Sequence, residues 1–206
     1  MRRELTAPRG LAIAAVIATA AVATANAADG GIGASGGSAG GCADARYPKR
    51  VLQRGDCGPD VKTLNWLLKA KVGHVRLRRM FGEDTTRKVR RFERRRGIPV
   101  NGVVERRTRR ALGKTMNAQR ATWYGPGFFG NRTACGQRLR RKTRGVAHKR
   151  LPCGTKLVVR YRGRYTRARV IDRGPYANHA RWDLTRKTAR SIGFEGTDNV
   201  RVAVIR

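Results

Sequence analysis

From Ala118 to the C-terminus the chain carries four carboxylates, Asp172, Asp183, Glu195 and Asp198, among 22 lysines and arginines. Proton transfer to a leaving group needs a side chain that holds a proton near neutral pH, and a carboxyl in a tuned setting commonly supplies it. Glu195 and Asp198 fall in Gly193-Phe194-Glu195-Gly196-Thr197-Asp198-Asn199, a polar turn, and read as solvated loop residues. Asp172 closes a strand-like run and precedes Arg173-Gly174-Pro175. A strand end opening into a Gly-Pro turn aims a side chain, although an Asp there also commonly binds the turn's own backbone. Asp183 stands just before Leu184-Thr185 at a helix start, where a carboxylate also complements the helix dipole. His148, in the polar segment Ala147-His148-Lys149-Arg150-Leu151-Pro152, is either a structural imidazole or a proton carrier. His74 and His179 have no comparable setting.

The elements that must position these groups are short. Lys156 to Tyr161 and Tyr165 to Ile171 alternate apolar and polar residues around Arg162-Gly163-Arg164, the pattern of a hairpin. Val200, Val202 and Val204 alternate in a last strand. Thr185 to Ile192 reads as a short helix, capped by Thr185 and closed by Gly193. Upstream, Val61, Leu64, Leu67 and Leu68 recur at helical spacing over Asp60 to Leu68. Glu83 to Arg96 turns Val89 and Phe92 inward, with Asp84 or Thr85 as N-cap and Gly97 as terminator, and Glu105 to Leu112 is a third helix. The expected organisation is a leader over 1–28, a Gly-rich linker over 29–41, a helical domain over 42–115 and a β domain over 118–206.

Arg2, Arg3 and Arg9 precede the short apolar run Leu11 to Ala25 and the small-residue site Ala25-Asn26-Ala27, the layout of a secretory signal. Removing that leader leaves about +32 of the formal +34 charge. On an exported chain so basic a surface meets wall polymers, anionic headgroups and wall-peptide carboxylates. Nucleic acid is therefore set aside as a partner, and no stable membrane insertion is expected after cleavage. Cys42, Cys57, Cys135 and Cys153 read as disulfides in that compartment. Three pairings are open in principle, and Cys42–Cys57 with Cys135–Cys153 keeps each bridge inside one domain. No His/Cys cluster has zinc spacing, so neither a metal nor a cofactor is expected.

The ordered motifs Ala121-Thr122-Trp123-Tyr124-Gly125, Thr133-Ala134-Cys135-Gly136, Ala147 to Thr155, Val170-Ile171-Asp172-Arg173-Gly174-Pro175 and Trp182-Asp183-Leu184-Thr185 resemble the double-psi β-barrel of the rare lipoprotein A family, relatives of the expansins. The resemblance implies a six-stranded barrel that cleaves or binds peptidoglycan glycan strands. Asp172 matches the position implicated in catalysis in rare lipoprotein A enzymes, and Asp183 matches the essential acid of expansins and related endoglucanases. The resemblance makes His148 an active-site residue near Asp172. Thr122 and Tyr124 resemble expansin groove residues, and Arg173 is expected as a further substrate contact. Trp123 and Trp182 are candidates for stacking on sugar faces, although a buried Trp is the commoner outcome. At Gln137 many members have Glu; a glutamine cannot act as a base but still hydrogen-bonds a sugar. A lytic transglycosylase uses the muramic acid's own C6 hydroxyl as nucleophile and gives a 1,6-anhydro product, so no second carboxylate need activate water, unlike an inverting hydrolase.

The segment carrying Leu52, Gly55, Gly58, Val61, Leu64, Leu67, Phe81-Gly82, Thr85, Val89, Phe92, Gly97, Gly102-Val103-Val104, Thr108 and Leu112 resembles the three-helix peptidoglycan-binding domain. It departs at Asn65 and Glu93, where that family usually has Gln facing a binding groove. The combined expectation is an exported, monomeric α + β multidomain protein of the cell wall, with glycan strands as its partner and anionic wall polymers as a second. Its alternative is a non-catalytic, expansin-like module that binds or loosens the wall; a third reading is binding by charge alone.

Overall fold

The computed structural model describes residues 42–176 and 179–205. The expected leader and linker lie outside the described residues. Three helices, α1 (Pro59–Val72), α2 (Glu83–Arg95) and α3 (Arg106–Lys114), precede a closed six-stranded barrel. The strands are β1 (Asn117–Tyr124), β2 (Val146–Ala147), β3 (Lys156–Tyr161), β4 (Arg164–Asp172), β5 (Trp182–Thr185) and β6 (Asp198–Val204), with α4 (Arg186–Ile192) between the last two. Around the barrel they run β1-β5-β2-β4-β3-β6.

α1 begins with Pro59 in its first turn, where proline's missing N–H costs nothing, and ends on Lys69 and Lys71, which favour the negative helix C-terminus. It runs four residues past the expected Leu68 because its packing continues to Val72. α2 is capped by the backbone at Gly82 rather than by Asp84 or Thr85; Thr85 instead turns inward and donates to Asn65 Oδ1 at 2.9 Å. Gly97, at φ 60°, supplies the left-handed residue that ends α2.

Asn65 and Glu93 face no groove. Both are fully buried. The Asn65 amide donates to the carbonyls of Arg78 and Met80, tying α1 to the strand-like segment ahead of α2. Glu93 accepts from Gly102 N–H at 2.9 Å and from the Thr108 hydroxyl at 3.1 Å, joining α2 to the turn before α3 and to α3 itself. At these two positions this chain uses polar side chains as internal struts, so neither substitution bears on ligand affinity directly.

In the β3–β4 hairpin the turn is two residues, Arg162 and Gly163, both at positive φ (43° and 80°). That conformation matches the right-handed twist of the flanking strands. Leu157 and Val159 point into the barrel, and Val158 between them points the other way, yet all three are buried. The reason is α1, which lies across β3, β4 and β6. Val158, Ala203 and Ile205 join Leu64, Leu67, Phe81 and Leu112 in one apolar cluster. Helices and barrel therefore share a core, and each of its Val, Leu, Ile and Phe side chains contributes about 1.5–3 kcal/mol by leaving water. The bridges join Cys42 to Cys57 and Cys135 to Cys153, the local pairing expected from the sequence.

Candidate active site

β2 is only two residues long, and its position decides the site. Ala147 pairs with Asp183 of β5 on one side and with Asp172 of β4 on the other. The two aspartates thus flank one alanine, with Cα atoms about 10 Å apart at two strand spacings. Gly145, just before β2, allows this packing: a Cβ there would lie 2.3 Å from Ile171 Cδ1. Its N–H donates to the hydroxyls of Thr185 and Thr188, and Thr185 donates to Thr143 O, which pins β2 to the start of α4. Thr185 also caps α4, as its place in the sequence indicates.

Asp183 is half-buried and accepts from the Thr122 hydroxyl at 2.8 Å. Burial pushes its carboxyl up to about 6; the Thr122 hydrogen bond pulls down, and the nearby Asp172 charge pushes up again. A carboxyl in that range can hold a proton near neutral pH and give it away.

Asp172 is arranged as an acceptor. Its Oδ1 takes N–H donors from Ala134 at 2.8 Å and Arg173 at 2.9 Å, and its Oδ2 takes the Tyr124 hydroxyl at 3.3 Å. The bond from Arg173 is the turn-binding use expected of an Asp before a Gly-Pro turn. The Tyr124 phenol is held well above its ordinary range, by burial first and then by the charges of Asp172 and Asp183. Thr122 and Tyr124, two apart on β1, share a face, so one strand delivers a hydroxyl to each carboxyl. The Cys135–Cys153 bridge joins the loop that carries Ala134 to the loop ahead of β3, and Cys135 N–H donates to Ile171 O. These ties hold the Ala134 N–H against Asp172.

His148 is buried, and its Nδ1 accepts from the N–H groups of Arg150 and Leu151 at 3.1 and 3.0 Å. Its ring packs on Trp182 with centroids 4.5 Å apart. Burial, then the charges of Arg181 and Arg173, hold the imidazole below its ordinary pKa. Its link to Asp172 is through the backbone: His148 N–H donates to Asp172 O at 3.1 Å. The Arg173 guanidinium donates to the carbonyls of Leu151 and His148, so it braces the same loop.

Trp123 is exposed on the face of β1 opposite Thr122 and Tyr124. Trp182 is 1% exposed inside the barrel, with its indole N–H on Gln119, so it offers no face to a sugar. Gln137 is exposed in the loop before β2, and its carbonyl accepts from Thr133 N–H. Asp198 accepts from Asn199 N–H and from the Tyr161 hydroxyl, outside this constellation. Sequence reading missed Ala134, whose contribution is a backbone N–H that no residue type signals. It also missed Phe128 and Tyr176, two exposed rings on the flanking loops. Among the described residues no group of His, Cys, Asp and Glu is placed to hold a metal ion.

Residues 116–204 match the family model described as lytic transglycolase, and residues 57–112 match the one described as putative peptidoglycan binding domain. The first match spans the closed six-stranded barrel, a double-psi β-barrel, and the second spans most of the three-helix region ahead of it. The chain is similar to the probable endolytic peptidoglycan transglycosylase RlpA of Synechocystis sp., 39% identical over 90 residues, 42% of this chain and 28% of that one. It is also similar to the endolytic peptidoglycan transglycosylase RlpA of Campylobacter jejuni, 38% identical over 110 residues, 52% of this chain and 40% of the relative. The matched stretches cover well under half the length of these relatives. Among solved structures, the apo expansin of Clavibacter michiganensis is 24% identical with a TM-score of 0.37, over 45% of this chain and 51% of that one.

Proposed function

We propose that this protein works outside the cytoplasm at the cell wall, binds peptidoglycan and cleaves its glycan strands as an endolytic lytic transglycosylase. The observation that carries the reading is the pair of unlike carboxyls flanking Ala147: Asp183 pushed up to about 6, Asp172 set among three donors. Two carboxyls with divergent settings are the usual mark of an acid and its partner. Asp183 gives its proton to the glycosidic oxygen as the C1–O bond breaks. The C6 hydroxyl oxygen of the same muramic acid bonds to C1, and its proton passes to the Asp172 carboxylate. One carboxyl loses the proton the other gains, no water is consumed, and exchange with solvent resets the pair.

Thr122 and Tyr124 orient the two carboxyls, and Gln137 and Trp123 remain as sugar contacts at the margin. His148 and Arg173 act in this reading by holding the 148–151 loop against Asp172, a positioning role rather than proton transfer. The helical domain anchors the barrel on its polymer. Export through the N-terminal leader, a monomeric state and contact between the surplus arginines and anionic wall polymers belong to the same reading.

Gln137, where many relatives of this barrel type have Glu, favours one rival: an expansin-like module that binds or loosens the wall without cleaving it. Mass spectrometry of sacculi and of isolated glycan strands after incubation with the protein separates the two. Chains ending in 1,6-anhydro-muramic acid, released by wild type and absent with Asp183→Asn, support cleavage. Binding without any anhydro product supports the rival.

A further inference from the structure

The chain has five Phe, five Tyr and three Trp. Among the described residues, the large apolar side chains left exposed are Val51, Met80, Val100, Trp123, Phe128 and Tyr176. The aliphatic three lie in the helical part. The aromatic three all lie on the segments that frame Asp172: the end of β1, the loop after it, and the loop after β4. Phe128 is 55% exposed and meets Tyr124 edge-on with ring centroids 6.0 Å apart, and Tyr124 donates to Asp172. Tyr176 follows Asp172 by four residues and is 80% exposed. The Lys149 ammonium, next in sequence to the His148 that binds Asp172 O, lies 5.8 Å from the Tyr176 ring centroid.

Neither ring belongs to a buried core cluster, and each leaves most of its face to solvent beyond its single neighbouring contact. A protein-docking surface would gather such groups into one contiguous patch. Phe128 and Tyr176 stand on two different loops, one after β1 and one after β4, next to the strand ends that carry Tyr124 and Asp172. A pyranose ring presents an apolar C–H face that suits a flat aromatic surface, and consecutive sugars of a strand present such faces at intervals. We infer that Phe128 and Tyr176 are ring platforms for consecutive sugars of a glycan strand passing over Asp172. They serve strand length and register rather than bond breaking. The inference rests on the glycan reading above.

The test measures Kd and cleavage kinetics on purified, peptide-free glycan strands for wild type, Phe128→Ala, Phe128→Leu, Tyr176→Ala and Tyr176→Phe. Phe128→Leu keeps apolar bulk beside Tyr124 while removing the flat face. Loss of one platform should raise Kd and KM about three- to tenfold with kcat changed less than about twofold, from the usual worth of an aromatic contact. Tyr176→Phe should bind like wild type, and the thermal midpoints should stay together. Unchanged Kd in Tyr176→Ala and Phe128→Leu overturns the inference, whether or not wild type cleaves, and leaves glycan binding standing. Equal loss in Tyr176→Phe and Tyr176→Ala also overturns it, since the hydroxyl rather than the ring face would then be the contact. A wild type that neither binds nor cleaves the strands overturns the glycan reading and this inference with it.

Discussion

Thr122 donates its hydroxyl proton to Asp183 at 2.8 Å across the β1–β5 pair, and it is the one influence that pulls this carboxyl's pKa down. Burial and the Asp172 charge act in the other direction. If Asp183 is the acid, glycan cleavage falls as pH rises through about 6. Thr122→Val removes the downward pull, so the alkaline limb of the pH–activity curve should move up by about half to one pH unit. A limb that stays put in Thr122→Val assigns the titration to another group.

The same carboxyl makes stability depend on pH. Its folded pKa lies above the ordinary 3.8, so the folded protein holds that proton more tightly than the unfolded chain does. Its contribution is therefore most favourable below about 4 and is lost as pH rises to about 6. Asp183→Asn carries no such charge. The gap between variant and wild type in chemical denaturation should widen in the variant's favour from pH 4 to pH 7. A gap that is flat across that range removes the case for a raised Asp183.

Asp172→Asn should lower cleavage by at least about a hundredfold while leaving the fold intact, because it keeps the size and removes the acceptor of the C6 hydroxyl proton. Asparagine retains one oxygen for the Ala134 N–H but presents an amide to the Tyr124 hydroxyl. Tyr124→Phe should cost far less, on the order of tenfold, since it removes one of three donors. Rates on isolated glycan strands, with near-UV circular dichroism to confirm the fold, check both. If Asp172→Asn releases as much anhydro product as wild type, the proton has another acceptor.

Most of the scaffold was legible because it follows local rules. Helical spacing marked α1 to α3, alternation marked β4 and β6, and Thr185 and Gly193 bracketed α4 as cap and terminator; the alternation expected over Lys156 to Tyr161 breaks at Leu157 to Val159. The shared core was less legible. Leu157-Val158-Val159 is an unbroken apolar run, which means a strand covered on both faces, but nothing local says that α1 supplies the cover. Asp172 and Asp183 stood out because acids are scarce. Their juxtaposition was hidden, since it depends on a two-residue strand, and a strand that short leaves no periodic signal. The role of His148 turned on its neighbours: two backbone N–H groups claim its Nδ1, and residue type alone cannot show that.

Glu93 gives a test of the helical domain's interior. Glu93→Ala strands the Gly102 N–H in a dry setting and leaves a cavity, and should cost about 3 kcal/mol or more. Glu93→Gln should cost under about 1 kcal/mol, because the amide oxygen still accepts from Gly102 and the amide nitrogen can donate to the Thr108 hydroxyl. Glutamine is therefore physically compatible with this position. Denaturant unfolding of the full chain measures both, and equal losses in the two variants contradict the strut assignment.

The Cys135–Cys153 bridge should matter to the chemistry as well as to stability. Replacing both cysteines by alanine frees an 18-residue separation and should cost about 3 kcal/mol by the chain-entropy account. Losing Cys42–Cys57, with a separation of 15, should cost a similar amount. The two differ in what they hold. Cys135 sits beside Ala134, whose N–H reaches Asp172, whereas Cys42 and Cys57 lie in the helical domain beside the Arg50–Asp60 pair. The Cys135→Ala/Cys153→Ala protein should therefore lose about tenfold or more in kcat at a temperature where it is still folded, as the loop swings its donor away from the carboxylate. The Cys42→Ala/Cys57→Ala protein should keep its kcat and lose only stability. Equal kcat in the two variants, at matched fraction folded, would show that the Ala134 contact does not depend on the bridge.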